Sequence, residues 1–215
     1  MTRRPSLGKV RAMRTLIRGA VALVIVFVAY WAWALAGAAQ LASAAQRGDA
    51  EAVIERVDLQ ALIRSLSGQI ARAFADENPQ AQKPPPRQGV FLNGAAAEML
   101  LRALLTPENI AALLSQGRVG VVGAGGKDAG TVWGMPSLGE AFNARPLQVV
   151  MNSHFDGPRS FVVGLDSPEG RYRLHTRLSG TTWRLSAVDI PEPVTARLAN
   201  LIAQRIGGAV TLPGG

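Results

Sequence analysis

The chain has 215 residues, 23 basic against 15 acidic side chains, no Cys and 48% hydrophobic residues. A chain this long and apolar buries a core without staples, and the missing Cys excludes disulfide frameworks, thiolate zinc sites, Cys nucleophiles and a lipid-modified Cys. A net charge of +8 would suit a nucleic-acid binder if it were spread over a domain. Instead Arg3, Arg4, Lys9, Arg11, Arg14 and Arg18 stand in residues 1–18 without an acid; 23 less 6 leaves 17 bases against 15 acids beyond. The excess is one tail, and no nucleic acid is expected as partner.

Residues 19–39 read GAVALVIVFVAYWAWALAGAA, an uncharged run. At about 1.5 Å per residue it crosses a bilayer core of about 30 Å. Tyr30, Trp31 and Trp33 fall near its far end, where amphipathic aromatics favour the membrane interface. The lipid bilayer is therefore the first expected partner. The basic tail predicts a cytoplasmic N-terminus, which puts everything after about residue 40 on the outer side. A cleaved signal peptide is the alternative, with small-residue sites at Ala34-Leu35-Ala36 and Ala42-Ser43-Ala44. The apolar run exceeds the roughly 7–15 residues of a signal core, which favours an uncleaved anchor. Thr2-Arg3-Arg4 resembles a twin-arginine start, but the apolar run begins too far downstream to fit one.

Residues 40–77 read as a helical segment. Arg47-Gly48-Asp49 ends the first helix, and Asp49 is a good cap for a short helix over 50–56. The tripeptide also matches a cell-adhesion motif, which three residues reach by chance. Asp58 caps a second helix over 59–74, whose Leu59, Leu62, Ile63, Leu66 and Ile70 form one stripe with Arg64 and Arg72 off it. Residues 78–92 include three consecutive prolines and predict a stiff linker or loop.

Residues 93–215 predict an α+β domain. A helix over 93–105 restarts at Thr106-Pro107-Glu108, which supplies a cap, a first-position proline and an acid at the positive helix end. Gly117 stops it. The Gly-rich run 117–139 invites three chemical readings and meets none. Gly126-Lys127 lacks the first glycine of a phosphate-binding loop, which falls on Val121, and Asp128 replaces its hydroxyl residue. Gly123-x-Gly125 ends on Asp128 instead of the last dinucleotide glycine. Ser137 lacks the glycine two residues before it that a nucleophile elbow needs. The expectation is a mobile loop that can include a short strand.

Strict alternation follows. Tyr172, Leu174, Thr176 and Leu178 point one way, and Arg171, Arg173, His175 and Arg177 the other. A turn at Ser179-Gly180 sets Thr176 opposite Trp183, Leu174 opposite Leu185 and Tyr172 opposite Ala187, with Arg184 opposite His175. A strand over 161–166 places Leu165 opposite Tyr172, Val163 opposite Leu174 and Asp166 opposite Arg171. Leu147–Phe155 alternates too, and a helix over 191–206 closes the chain. The expected fold is α+β: an N-terminal transmembrane helix, a helical segment, then a four-stranded antiparallel meander covered by helices.

Catalytic and cofactor chemistry has little support. His154 and His175 are the only histidines, and zinc sites generally want three or four ligands. Ser153 and His154 are neighbours in a strand, so they face opposite ways and cannot act as nucleophile and base. No catalytic, metal or cofactor residues are assigned. Trp133 and Trp183 read as loop anchor and core. What remains is one sheet face bearing Arg171, Arg173, His175, Arg177 and Arg184. It is either a solvated polar face or an anion-binding one, for anionic lipid, a cell-wall polymer or an acidic protein partner.

The segment from Tyr30 to Leu66 resembles the bacterial domain-of-unknown-function 2939 family, small proteins with an N-terminal membrane segment. The likeness rests on the aromatic helix end, Gln46-Arg47-Gly48-Asp49, and Val57-Asp58-Leu59-Gln60-Ala61-Leu62 running into a helix. Trp183-Arg184-Leu185 and Asp189-Ile190-Pro191 extend it towards the C-terminus. Leu59-Gln60 stands where the family carries Phe-Pro, and Ile63 precedes Arg64. The resemblance implies a membrane anchor and no activity. The Ala-, Arg- and Gly-rich composition suits a GC-rich bacterium, in which the outer side is the periplasm. The expected role is a binding or scaffolding module of the cell envelope. A small-ligand or lipid pocket between sheet and helices, or an envelope enzyme, are the alternatives.

Overall fold

The computed structural model describes residues 7–77, 94–122 and 128–200. The chain forms two units, residues 1–36 and 37–215. Helix α1 (Leu7–Gln46, 40 residues) begins in the first and ends in the second. Its apolar part is exposed: Leu23, Val24, Ile25, Val26 and Phe27 each keep more than half of their surface. Within Leu16–Gln46 an 18-residue window reaches a mean hydropathy of 2.2. An apolar helix bare on all sides has its counterpart in lipid rather than in water.

In the second unit the end of α1 is a packing element. Ala38, Leu41, Ala42, Ala44 and Ala45 are buried. Gly37 is required by a close approach, because a Cβ there would sit 2.8 Å from Trp183 Cβ. Helix α2 (Ala50–Glu55) starts at Asp49, whose carboxylate accepts the Ala52 N–H at 3.0 Å. Helix α3 (Leu59–Glu77) starts the same way, Asp58 accepting from Ala61 at 3.0 Å. Leu62, Ile63, Leu66 and Ile70 are buried, while Arg64 and Arg72 are exposed. Both caps and the stripe agree with the sequence pattern. The expected linker, 78–92, lies outside the described residues.

Helix α4 (Gly94–Leu104) leads into α5 (Pro107–Gln116). The Thr106 hydroxyl accepts the Asn109 N–H at 3.3 Å, and Gly117 ends α5 with φ 73°. The Gly-rich run is then more regular than expected. Strands β1 (Arg118–Val122) and β2 (Asp128–Gly134) pair antiparallel, and helix α6 (Leu138–Ala144) follows. Glycine weakens a strand without forbidding backbone pairing, and this hairpin is irregular, with two register shifts. Residues 123–127, between the strands, lie outside the described residues.

A second correction concerns Leu147–Phe155. Residues Pro146–Met151 form helix α7, and only Ser153–Gly157 form a strand, β3. Proline at the first helical position presets φ for a helix, which overrides a short alternation. Leu147 and Met151 point into solvent and Val149 inward.

The sheet has the order β3-β4-β5-β6, all antiparallel neighbours, with β4 Ser160–Ser167, β5 Gly170–Ser179 and β6 Thr182–Asp189. The β4–β5 register is the expected one: Leu165 faces Tyr172, Val163 faces Leu174 and Asp166 faces Arg171. The β5–β6 register is not. Ser179 pairs with Thr182, so Gly180-Thr181 make the turn, with Gly180 at φ 61°. Leu178 faces Trp183, Arg177 faces Arg184 and Thr176 faces Leu185. A bulge follows, after which His175 faces Ala187, Leu174 faces Val188 and Arg173 faces Asp189. The extra residue flips the facing of the rest of β6. Val188 rather than Ala187 therefore fills the core, and Asp189 turns to the outer face. The Ser186 hydroxyl donates to the His175 carbonyl at 3.2 Å.

The inner face packs Phe161, Val163, Tyr172, Leu174, Trp183 and Leu185, all nearly fully buried. Trp183 is core, as expected. The β6 edge is closed by the α2–α3 junction. Val57 bridges Leu185 in parallel, Leu185 N–H donates to the Arg56 carbonyl at 2.8 Å, and Asp58 N–H donates to the Leu185 carbonyl at 2.7 Å. Closing an edge in this way removes a template for aggregation. The closing helix is described over 192–200, with Val194, Leu198 and Ala199 buried.

Candidate binding face and cleft

Strand alternation does place Arg171, Arg173, His175 and Arg177 together on the outer face of β5, and Arg184 joins them from β6. The structure sorts them into two groups. Arg171 Nε donates to Asp166 Oδ1 at 2.6 Å across the β4–β5 pair. His175 Nε2 lies 2.8 Å from Asp189 Oδ2. That contact holds the imidazole pKa above its ordinary value, against partial burial, and holds the Asp189 carboxyl below its own. Arg173 stands directly opposite Asp189. Arg177 and Arg184 face each other with no ion-pair partner among the described residues. Sequence reasoning missed Asp189, because without the bulge it points to the core side.

A shallow groove of about 460 Å³ runs over this face, lined by Arg159, Ser160, His175, Arg177, Ser186 and Asp189 among others. Arg159 has no periodic signal in the sequence, since it lies in the β3–β4 turn. Its Nη2 donates to the Leu178 carbonyl at 3.1 Å, which draws its guanidinium to the same end of the sheet.

A second site lies at the β4–β5 turn. Helices α6 and α7 and the ends of β4 and β5 enclose a cleft of about 630 Å³. Met135, Ala141, Val149, Leu165, Pro168 and Tyr172 supply apolar wall. Asp166 is the fixed polar point: Oδ2 accepts from Gln148 Nε2 at 2.9 Å and Asn152 Nδ2 at 2.8 Å. Arg171 foremost, with these two amides, holds its carboxyl below the usual carboxylate range. Burial, with Glu169 nearby, pushes the Tyr172 phenol up to about 12. A saturated anionic Asp and a neutral phenol position a ligand better than they exchange protons with it. Its size falls in the ordinary range of small-molecule sites, about 300–1,000 Å³. Among the described residues no group of three His, Asp or Glu side chains is placed to hold a metal ion.

Comparison with known families adds one finding. Residues 23–113 match DUF2939, a protein family of unknown function. The DUF2939 match runs from within α1 into α5, so it takes in the helical segment and both aspartate caps. It leaves out the sheet, and with it Trp183-Arg184-Leu185 and Asp189-Ile190-Pro191, to which the sequence resemblance extends. No curated protein and no solved structure matches the chain. Among the described residues one helix, near the N-terminus, is long and apolar enough to cross a membrane, and it fits a membrane anchor and a signal sequence alike.

Proposed function

We propose that this chain is a single-pass envelope protein whose domain from about residue 40 onward is a binding module on the periplasmic side of the inner membrane. One observation carries the reading: Leu16–Gln46 holds a long apolar window that is almost bare, and a tail rich in Arg precedes it. Such a helix is stable in lipid, and the tail's charge favours a cytoplasmic N-terminus. The test fuses a reporter active only in the periplasm, or only in the cytoplasm, after Gly215 and sizes the membrane-bound product. A periplasmic signal at full length is expected. A cytoplasmic signal overturns the orientation, and a soluble, shortened product overturns the anchor.

The cleft favours a second reading, in which the module holds a small ligand with an apolar body. Its walls supply apolar contact, and Gln148, Asn152 and Asp166 supply fixed polar contact at one end.

A further inference from the structure

We propose that Arg159, Arg177 and Arg184 form a binding site for a phosphate-type anion on the outer face of the sheet. This gives the binding module a ligand class, and its test does not depend on which side of the membrane the domain occupies.

Arg177 and Arg184 are direct cross-strand partners. Side chains so placed have Cβ atoms about 4.5–5.5 Å apart, and like charges there repel. Neither has an ion-pair partner among the described residues. The carboxylates that could neutralise them are held elsewhere, Asp166 by Arg171 and Asp189 by His175. Asp156 is also on the outer face, on β3, and its charge reaches His175, but it makes no ion pair with Arg177 or Arg184. Arg159 brings a third guanidinium to the same end, anchored through one nitrogen to the Leu178 carbonyl, so its other N–H groups are available. Ser160, opposite Arg177, adds a hydroxyl beside the groove.

Arg159 and Arg177 line the groove, and Arg184 is the cross-strand neighbour of Arg177; together they offer more donors than the two oxygens of a carboxylate accept. They suit a tetrahedral anion with three or four oxygens. The chemistry is that of a phosphate group, whether a lipid headgroup diester or a soluble phosphate.

The experiment uses the full chain in phosphatidylcholine nanodiscs and isothermal titration with inorganic phosphate, pyrophosphate and a short-chain phosphatidylglycerol kept below its micelle concentration. Wild type should bind at least one of them and melt higher in its presence. Binding of the diester points to a lipid source, and binding of the phosphates alone to a soluble one; either supports the site. R177S/R184S should weaken binding about 100-fold, at about tenfold for each guanidinium removed from the anion. Without ligand it should melt at or above wild type, because the like-charge pair is gone. R159S should cost about tenfold, whereas R173S, opposite Asp189, should stay within about threefold. No binding by wild type overturns the proposal. So does an equal loss in R173S, which would mean diffuse attraction by the whole face.

Discussion

Gln69 on α3 makes two hydrogen bonds that tie the helices to the sheet. Its Nε2 donates to the Val188 carbonyl at 2.7 Å, and its Oε1 accepts the Ile190 N–H at 3.0 Å. One amide thus serves the backbone at the end of β6 as a neighbouring strand would. Val188 is 2% exposed and Ile190 9%, so water is a poor substitute. In Gln69→Ala both backbone groups lose their partner. Each stranded group costs about 1–3 kcal/mol, and partial hydration at the sheet end brings the sum to about 2–4 kcal/mol. For a domain of this size that is a drop of about 5–15 °C in melting temperature. Gln69→Glu separates geometry from bulk. It keeps the acceptor for Ile190 but sets a carboxylate oxygen against the Val188 carbonyl. Its folded-state pKa is then raised, so stability falls as pH rises above about 4–5 and recovers in acid, where the carboxyl can donate. Chemical unfolding in detergent at several pH values, with hydrogen exchange at the Ile190 amide, reads all of this. A Gln69→Ala protein within about 0.5 kcal/mol of wild type, with Ile190 still protected, would refute the reasoning.

Three other outcomes are expected. The pair His175–Asp189 should make stability depend on pH. The raised His175 pKa contributes fully below the unfolded value and is lost as pH rises through the folded one; the lowered Asp189 pKa contributes above its unfolded value and is lost as pH falls through the folded one. The stability difference between wild type and His175→Gln should therefore be larger near about pH 5.5 than near about pH 8.5, and a flat difference would mean the pair is not formed in solution. Gly117→Ala combines a left-handed φ of 73° with a Cβ driven into the Met135 carbonyl, whose residue donates its own N–H back to Gly117. A loss of about 2–4 kcal/mol in denaturant unfolding is expected, and under about 1 kcal/mol would show that the α5–β1 junction relaxes freely. Phe161 is fully buried, with ring centroids 5.0 Å from Phe155 and 6.3 Å from Trp183. Phe161→Ala should cost about 3–5 kcal/mol, read in the same unfolding curves.

Local signals carried most of the architecture. Asp49, Asp58, Thr106 and Gly117 act within a few residues of themselves, so their caps could be read directly. The β4–β5 register was legible because a short loop and an alternating apolar face fix it together. The β5–β6 register needed a choice between Ser179-Gly180 and Gly180-Thr181, and both keep the same faces near the turn. Only the burial of Val188 and the outward turn of Asp189 distinguish the bulged pairing, and those depend on tertiary packing. Pro146 was the overlooked signal for α7. The arginine face was legible as a stripe. Which arginines are neutralised was not, because Asp189 reaches the face only through the bulge, and Arg159 enters from a turn with no periodicity.

The limits of the DUF2939 match have a physical counterpart. The matched segment supplies the groups that close the β6 edge: the Arg56 carbonyl, the Asp58 N–H and the Gln69 amide. Each of them meets backbone on or just after β6, at Leu185, Val188 and Ile190. A sheet held through its main chain keeps its outer side chains free of that attachment. The helical part can therefore keep one architecture while the side chains on the outer face of β5 and β6 change. On this sheet that face carries three unneutralised guanidiniums at one end. In the proposed anion site, specificity resides in residues 159–189, and placing serine at Arg177 and Arg184 should weaken anion binding without disturbing how the helices hold the sheet.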